Sequence, residues 1–136
     1  MPRRGLMLAV LPDHDLPTRY AKEYLRDAVV RSGAERLWLL GSMCTRGNVE
    51  AALMEADPGI VVAEGHGLPG ELMGHGDEPV LVACDNDRLL AGRWAYLLSC
   101  STGEELGPSM VRKGAVCYLG YSKPFIFLYQ VEPPED

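Results

Sequence analysis

Short, unbroken apolar runs recur along this chain, and between them apolar residues return every three or four positions. The runs fall at residues 6–11 (LMLAVL), 37–40 (LWLL), 60–63 (IVVA) and 94–99 (WAYLLS), with a fifth at 115–120 (AVCYLG). A run that is apolar at nearly every position suits a strand buried on both faces. A helix is predicted from Pro17 to just before Gly33, with Tyr20, Tyr24, Leu25, Ala28 and Val29 on one face. A second places Val49, Ala52, Leu53 and Ala56 inward and stops at Asp57-Pro58-Gly59. A third is predicted over 101–113, with Leu106, Met110 and Val111 inward and Pro108 near its first turn or at a kink. Ser101-x-x-Glu104 and Thr102-x-x-Glu105 both read as capping boxes for its start. Glycine-rich residues 68–78 suggest an active loop or hairpin tip, 80–84 an accessory strand, and 85–92 two helical turns with Leu89 and Leu90 inward.

Strands that alternate with helices imply an α/β fold. The expected architecture is a mainly parallel sheet of about five strands with helices on both faces, flavodoxin-like in order. Residues 125–129 form an apolar segment without an assigned partner, and 130–136 are expected to be a mobile polar tail.

At 136 residues the chain is one domain or part of one, and a 47% hydrophobic share supplies a core. The net charge of −6 argues against nucleic acid as a partner. No run approaches membrane-spanning length, and no secretory leader is read at the start. A cytoplasmic protein with free thiols is expected. The four cysteines form no CxxC pair and only three histidines are present, so no metal or other cofactor is expected. Gly65, Gly67, Gly70, Gly74 and Gly76 match neither common phosphate-binding pattern.

Ligands of open α/β sheets bind outside the carboxyl ends of the strands. The exits of the first, third and fourth strands carry Asp13-His14-Asp15, His66-Gly67 and Cys100. If the third and fourth strands are neighbours, His66 and Cys100 meet. A free thiol near pKa ~8.5 is mostly protonated at neutral pH, and a histidine can take its proton. A helix beginning at Ser101 would favour the thiolate through its amino-terminal dipole. Backbone N–H groups of Gly67 and Cys100 are candidate oxyanion donors. His75 is a rival base. His14 reads as a surface or substrate-loop residue, and Glu64 as either an orienter of His66 or a solvated carboxylate. Cys44, Cys84 and Cys117 read as small core residues.

An apolar strand ending in His-Gly, followed by one ending in Cys, resembles the caspase–haemoglobinase fold of the clan CD cysteine peptidases. The stretch LLSCSTGEELGPSMVRKGAVCYLGY is most similar to the CHAT and gingipain-like branch, and the likeness covers roughly residues 5–122. It implies a three-layer caspase-like catalytic domain over residues 1–129. It also implies a cysteine endopeptidase with His66 as base and acid, Cys100 as nucleophile, and Gly67 and Cys100 as oxyanion donors. A protein or peptide is then the substrate, and cleavage after a basic residue would draw on Asp13, Asp15 or Asp85. The caspase signature Gln-Ala-Cys-x-Gly is absent, Leu-Ser-Cys-Ser-Thr-Gly standing in its place. The chain is also short for the group, so a partner subunit, a second copy or a longer protein is expected to complete the pocket. Two other classes fit the pattern: a non-catalytic pseudo-peptidase module that regulates a partner, and a flavodoxin-like small-molecule-binding domain.

Overall fold

Alternate residues of the apolar runs divide between two cores, one on each face of a sheet. The computed structural model describes residues 2–126. In chain order its elements are β1 (Arg3–Leu11), α1 (Leu16–Ser32), β2 (Glu35–Leu40), α2 (Arg46–Glu55), β3 (Pro58–Glu64), β4 (Gly67–Leu68), β5 (Glu71–Met73), β6 (Pro79–Val82), β7 (Trp94–Leu98), α3 (Leu106–Arg112) and β8 (Cys117–Leu119). Five strands form one parallel sheet in the order β2-β1-β3-β7-β8. That is the strand order of the flavodoxin-like doubly wound folds. Leu8, Val10, Val61, Ala63, Ala95 and Leu97 share a core with Val49 and Leu53 of α2 and with Leu106 and Met110 of α3. Ala9, Leu11, Val62 and Leu98 share the other with Ala21, Leu25 and Val29 of α1.

The start of α1 is fixed chemically. The Asp15 side chain accepts from the Thr18 N–H at 3.0 Å, and Thr18 Oγ1 accepts from the Asp15 N–H at 3.1 Å. Gly33, at φ 70°, closes the helix in the left-handed conformation that suits glycine. The buried stripe of α1 differs from the expected one. It runs through Thr18, Ala21, Leu25 and Val29, while Tyr24 is exposed. A tyrosine can leave its ring at the surface with its hydroxyl in water, whereas the smaller Thr18 and Ala21 permit close approach to the sheet.

The third helix starts five residues later than expected, at Leu106 rather than Ser101. Pro108 explains the shift. In a helix beginning at residue 101 it would lie in the interior and clash with the carbonyl four residues back; here it falls in the first turn. Leu106 and Met110 are buried as expected, but Val111 is exposed. The glycine-rich segment forms the β4–β5 hairpin, and β6 completes a separate antiparallel sheet of three strands. The expected turns after it are one 3₁₀ segment, Asn86–Leu90, with Leu90 fully buried. Among the described residues no helix is long and apolar enough to cross a membrane. Residues 127–129 of the apolar segment and the tail 130–136 lie outside the described residues.

Candidate active site at the carboxyl edge of the sheet

Strands β3 and β7 are hydrogen-bonded neighbours, in register from Ile60 against Trp94 to Glu64 against Leu98. Their exit loops therefore leave side by side. The Gly65 N–H donates to the Leu98 carbonyl at 3.3 Å, and the His66 carbonyl accepts from the Met73 N–H at 2.9 Å. This pins His66 between the main sheet and the hairpin. Gly65 has φ 152°, and a Cβ there would run into the Met73 carbonyl. A Cβ at Gly67 would run into the carbonyl oxygen of Cys100, so the His66–Gly67 turn lies directly against the Cys100 turn.

His66 and Cys100 line one cavity of about 310 Å³, together with Glu64, Leu98, Leu16 and Phe125. His66 Nε2 is 2.6 Å from Asp15 Oδ2. A neutral imidazole in that bond carries its proton on Nε2 and keeps a lone pair on Nδ1. Burial works against ionisation of Asp15, but hydrogen bonds from Thr18 and His66 outweigh it and bring the carboxyl down to about 2. Asp15 thus joins two tasks, capping α1 and holding the ring.

Cys100 is half-buried. Its Sγ accepts from the Phe125 N–H at 3.5 Å and faces the Phe125 carbonyl at 3.6 Å. The loop that follows is held in part by Thr102, a side chain one of the capping boxes would have used. Thr102 Oγ1 bonds Ser99 Oγ at 2.9 Å and the Tyr118 hydroxyl at 2.8 Å, while the Gly103 N–H donates to Tyr121 at 2.8 Å. Ser101 sits at φ 63°, outside helical geometry. The amino end of α3 therefore does not reach the thiol, and the expected dipole contribution at Cys100 is withdrawn.

The remaining acids separate. Asp13 Oδ2 takes the Lys22 ammonium at 2.7 Å, and Asp85 Oδ1 takes Arg46 at 2.8 Å. Neither lines the cavity. Glu64 does, and it was underread in the sequence. Its residue is 0% exposed, and neither carboxyl oxygen has a hydrogen-bond partner among the described residues. Burial, with the charges of Asp13 and Asp15 adding to it, pushes its carboxyl up to about 9. It is therefore neither a solvated loop carboxylate nor the partner of His66. The sequence signal was its place as the last residue of an otherwise apolar strand.

His14 was also underread. Its side chain is 13% exposed, and Nε2 lies 2.9 Å from Asp77 Oδ1. Its ring centroid is 6.1 Å from that of His66 and 5.8 Å from that of His75. The Asp-His-Asp run after the first strand was the visible hint; Asp77, on the loop after β5, left none. Compared with known proteins, the chain matches no family model, no curated protein and no solved structure.

Proposed function

We propose that this chain is a cysteine endopeptidase of caspase-like type, on a three-layer caspase-like fold. One observation carries the reading: His66 and Cys100 line the same cavity while Asp15 holds Nε2 of the ring. With Nε2–H engaged, Nδ1 takes the Cys100 thiol proton. The thiolate attacks the scissile carbonyl, and the Gly67 and Cys100 N–H groups hold the oxyanion. His66 returns the proton to the leaving amine, and water then hydrolyses the thioester. Asp15 is a positioning residue in this scheme. Asp13 and Asp85 are engaged by Lys22 and Arg46, so the acid left to support cleavage after a basic residue is Glu64, which lines the cavity, is neutral while the cavity is empty and would lose its proton only against an entering Arg or Lys.

A regulatory pseudo-peptidase module has one observation in its favour, the Phe125 backbone against the thiol. Alkylation of Cys100 by iodoacetamide against pH, in the parent and in His66→Ala, separates the two. The expected result is an inflection below pH ~8.5 that His66→Ala abolishes or shifts. Peptides with Arg or Lys before the cut should then be cleaved, with His66→Ala slower by roughly a hundredfold or more. An ordinary thiol, indifferent to His66→Ala, would overturn the peptidase and favour the module.

A further inference from the structure

All three histidines of the chain meet at one place, although they stand on three separate loops. Two of them share that place with two aspartates. One ligand atom each from His14, Asp15, His66 and Asp77 lies within 4.8 Å of every other. Three of the separations are 2.6 Å for His66 Nε2 to Asp15 Oδ2, 2.9 Å for His14 Nε2 to Asp77 Oδ1, and 3.8 Å for His14 Nε2 to Asp15 Oδ2. Two ligands of one tetrahedral zinc ion at usual bond lengths stand about 3.3 Å apart, so side-chain shifts of about 1 Å would close the four around an ion.

From this arrangement we propose a binding site for a divalent transition-metal ion of the zinc class, formed by His14, Asp15, His66 and Asp77. Two imidazole nitrogens and two carboxylate oxygens suit zinc, cobalt or manganese better than calcium or magnesium, which favour all-oxygen shells. The two aspartates balance the charge of the ion. A second observation concerns His14. Its side chain is only 13% exposed, and its buried Nδ1 has no hydrogen-bond partner among the described residues, so the ring is held in place with Nε2 turned to the two aspartates. The spacing of histidines and cysteines in the sequence excluded only the sites that neighbouring residues can build; this one is assembled by the fold.

The consequence for Cys100 rests on the peptidase reading. An ion on Nε2 of His66 displaces the ring proton to Nδ1. That nitrogen then has no lone pair for the thiol proton, and Asp15 is taken as well. The ion is thus a reversible inhibitor of thiol activation, and its removal restores the base.

Cobalt(II) titrated into the full chain, and zinc titrated against a chromophoric chelator, test the site. One equivalent should bind, with a visible cobalt spectrum of tetrahedral intensity and no thiolate-to-cobalt charge-transfer band. His14→Gln and Asp77→Asn should each weaken binding at least about tenfold. Asp77 has a 55% exposed side chain, so Asp77→Asn should keep the parent circular dichroism. No binding, undiminished binding in both variants, or a charge-transfer band lost in Cys100→Ala would overturn the site. Cys100 alkylation with and without zinc then tests the consequence. Metal binding alongside a thiol indifferent to His66→Ala would defeat the peptidase reading alone; a His66-dependent thiol without metal binding would defeat the metal site alone.

Discussion

Glu64 and Asp87 are both 0% exposed, and they are treated oppositely by their surroundings. Asp87 lies on the 3₁₀ segment beneath α3. It accepts from Ser109 Oγ at 2.5 Å and from the Lys113 ammonium at 2.8 and 3.1 Å. Burial alone would raise its pKa, yet these partners hold its carboxyl below the usual range. Glu64, at the carboxyl edge of the sheet, has no partner among the described residues and is held protonated. A buried acid with its hydrogen bonds filled ties one element to another. A buried acid left unpaired beside a cavity costs stability, and such cost is tolerated where a ligand answers it. The two acids therefore separate the structural half of the molecule from its chemical half.

The largest effect expected from this difference is a pH dependence owed to Glu64. Folded, it keeps its proton until about pH 9; unfolded, it releases it near the ordinary glutamate value of 4.5. Between these values the native state binds more protons, so stability falls as pH rises through that window. The loss should reach about 3 kcal/mol by pH 7, at 1.36 kcal/mol per pH unit. Glu64→Gln should remove the slope, and so be more stable than the parent at neutral pH but similar near pH 4.5. Urea unfolding at pH 4.5, 7 and 8.5 measures this; parallel slopes in the two proteins would refute an unpaired Glu64. If Glu64 answers a basic substrate side chain, the stabilised variant should also lose cleavage after Arg and Lys.

Asp87 should behave in the opposite sense. Asp87→Ala removes a buried, charge-assisted network and leaves the Ser109 hydroxyl buried without its acceptor. A loss of about 2 kcal/mol is expected, since hydrogen bonds to charged groups contribute about 1.5–3 kcal/mol. The loss should be visible in urea midpoints at pH 7, with zinc binding unaffected. A change below about 0.5 kcal/mol, the range of ordinary surface substitutions, would show that the contrast between the two acids is false.

What could be read beforehand follows the range over which each feature is determined. The five main strands came from local apolar runs, and the limits of α1 came from Pro17 and Gly33, both local signals. His66 and Cys100 could be paired because strand exits share an edge, which needs only the order of the strands. The start of α3 is less legible, because two plausible capping boxes at residues 101–105 compete with the single proline at 108. Thr102 spends its hydroxyl on Ser99 and Tyr118, a choice set by the distant β8. Partners that come together only in three dimensions were the least legible. Asp77 joins His14 across 63 positions, and Glu64 shows its isolation only once every neighbour is in place.

Asp15 lies between the two acids in character, partly exposed and well partnered, and the smallest effect is expected there. Its folded carboxyl titrates near 2, against 3.8 unperturbed, so its contribution is full above about pH 4 and fades as pH falls towards 2. Its side chain is 36% exposed, and solvent screening reduces the contribution to about 1 kcal/mol. Asp15→Asn can still cap α1, because asparagine is as good a cap as aspartate. Any loss of stability at pH 7 should therefore stay near that figure, while the parent and the variant converge as pH falls to about 2. The same change removes the charge that holds the His66 ring. A selective effect on Cys100 alkylation, with α1 and overall stability nearly intact, would mark Asp15 as a positioning residue for His66. Equal alkylation profiles would leave it as a helix cap alone.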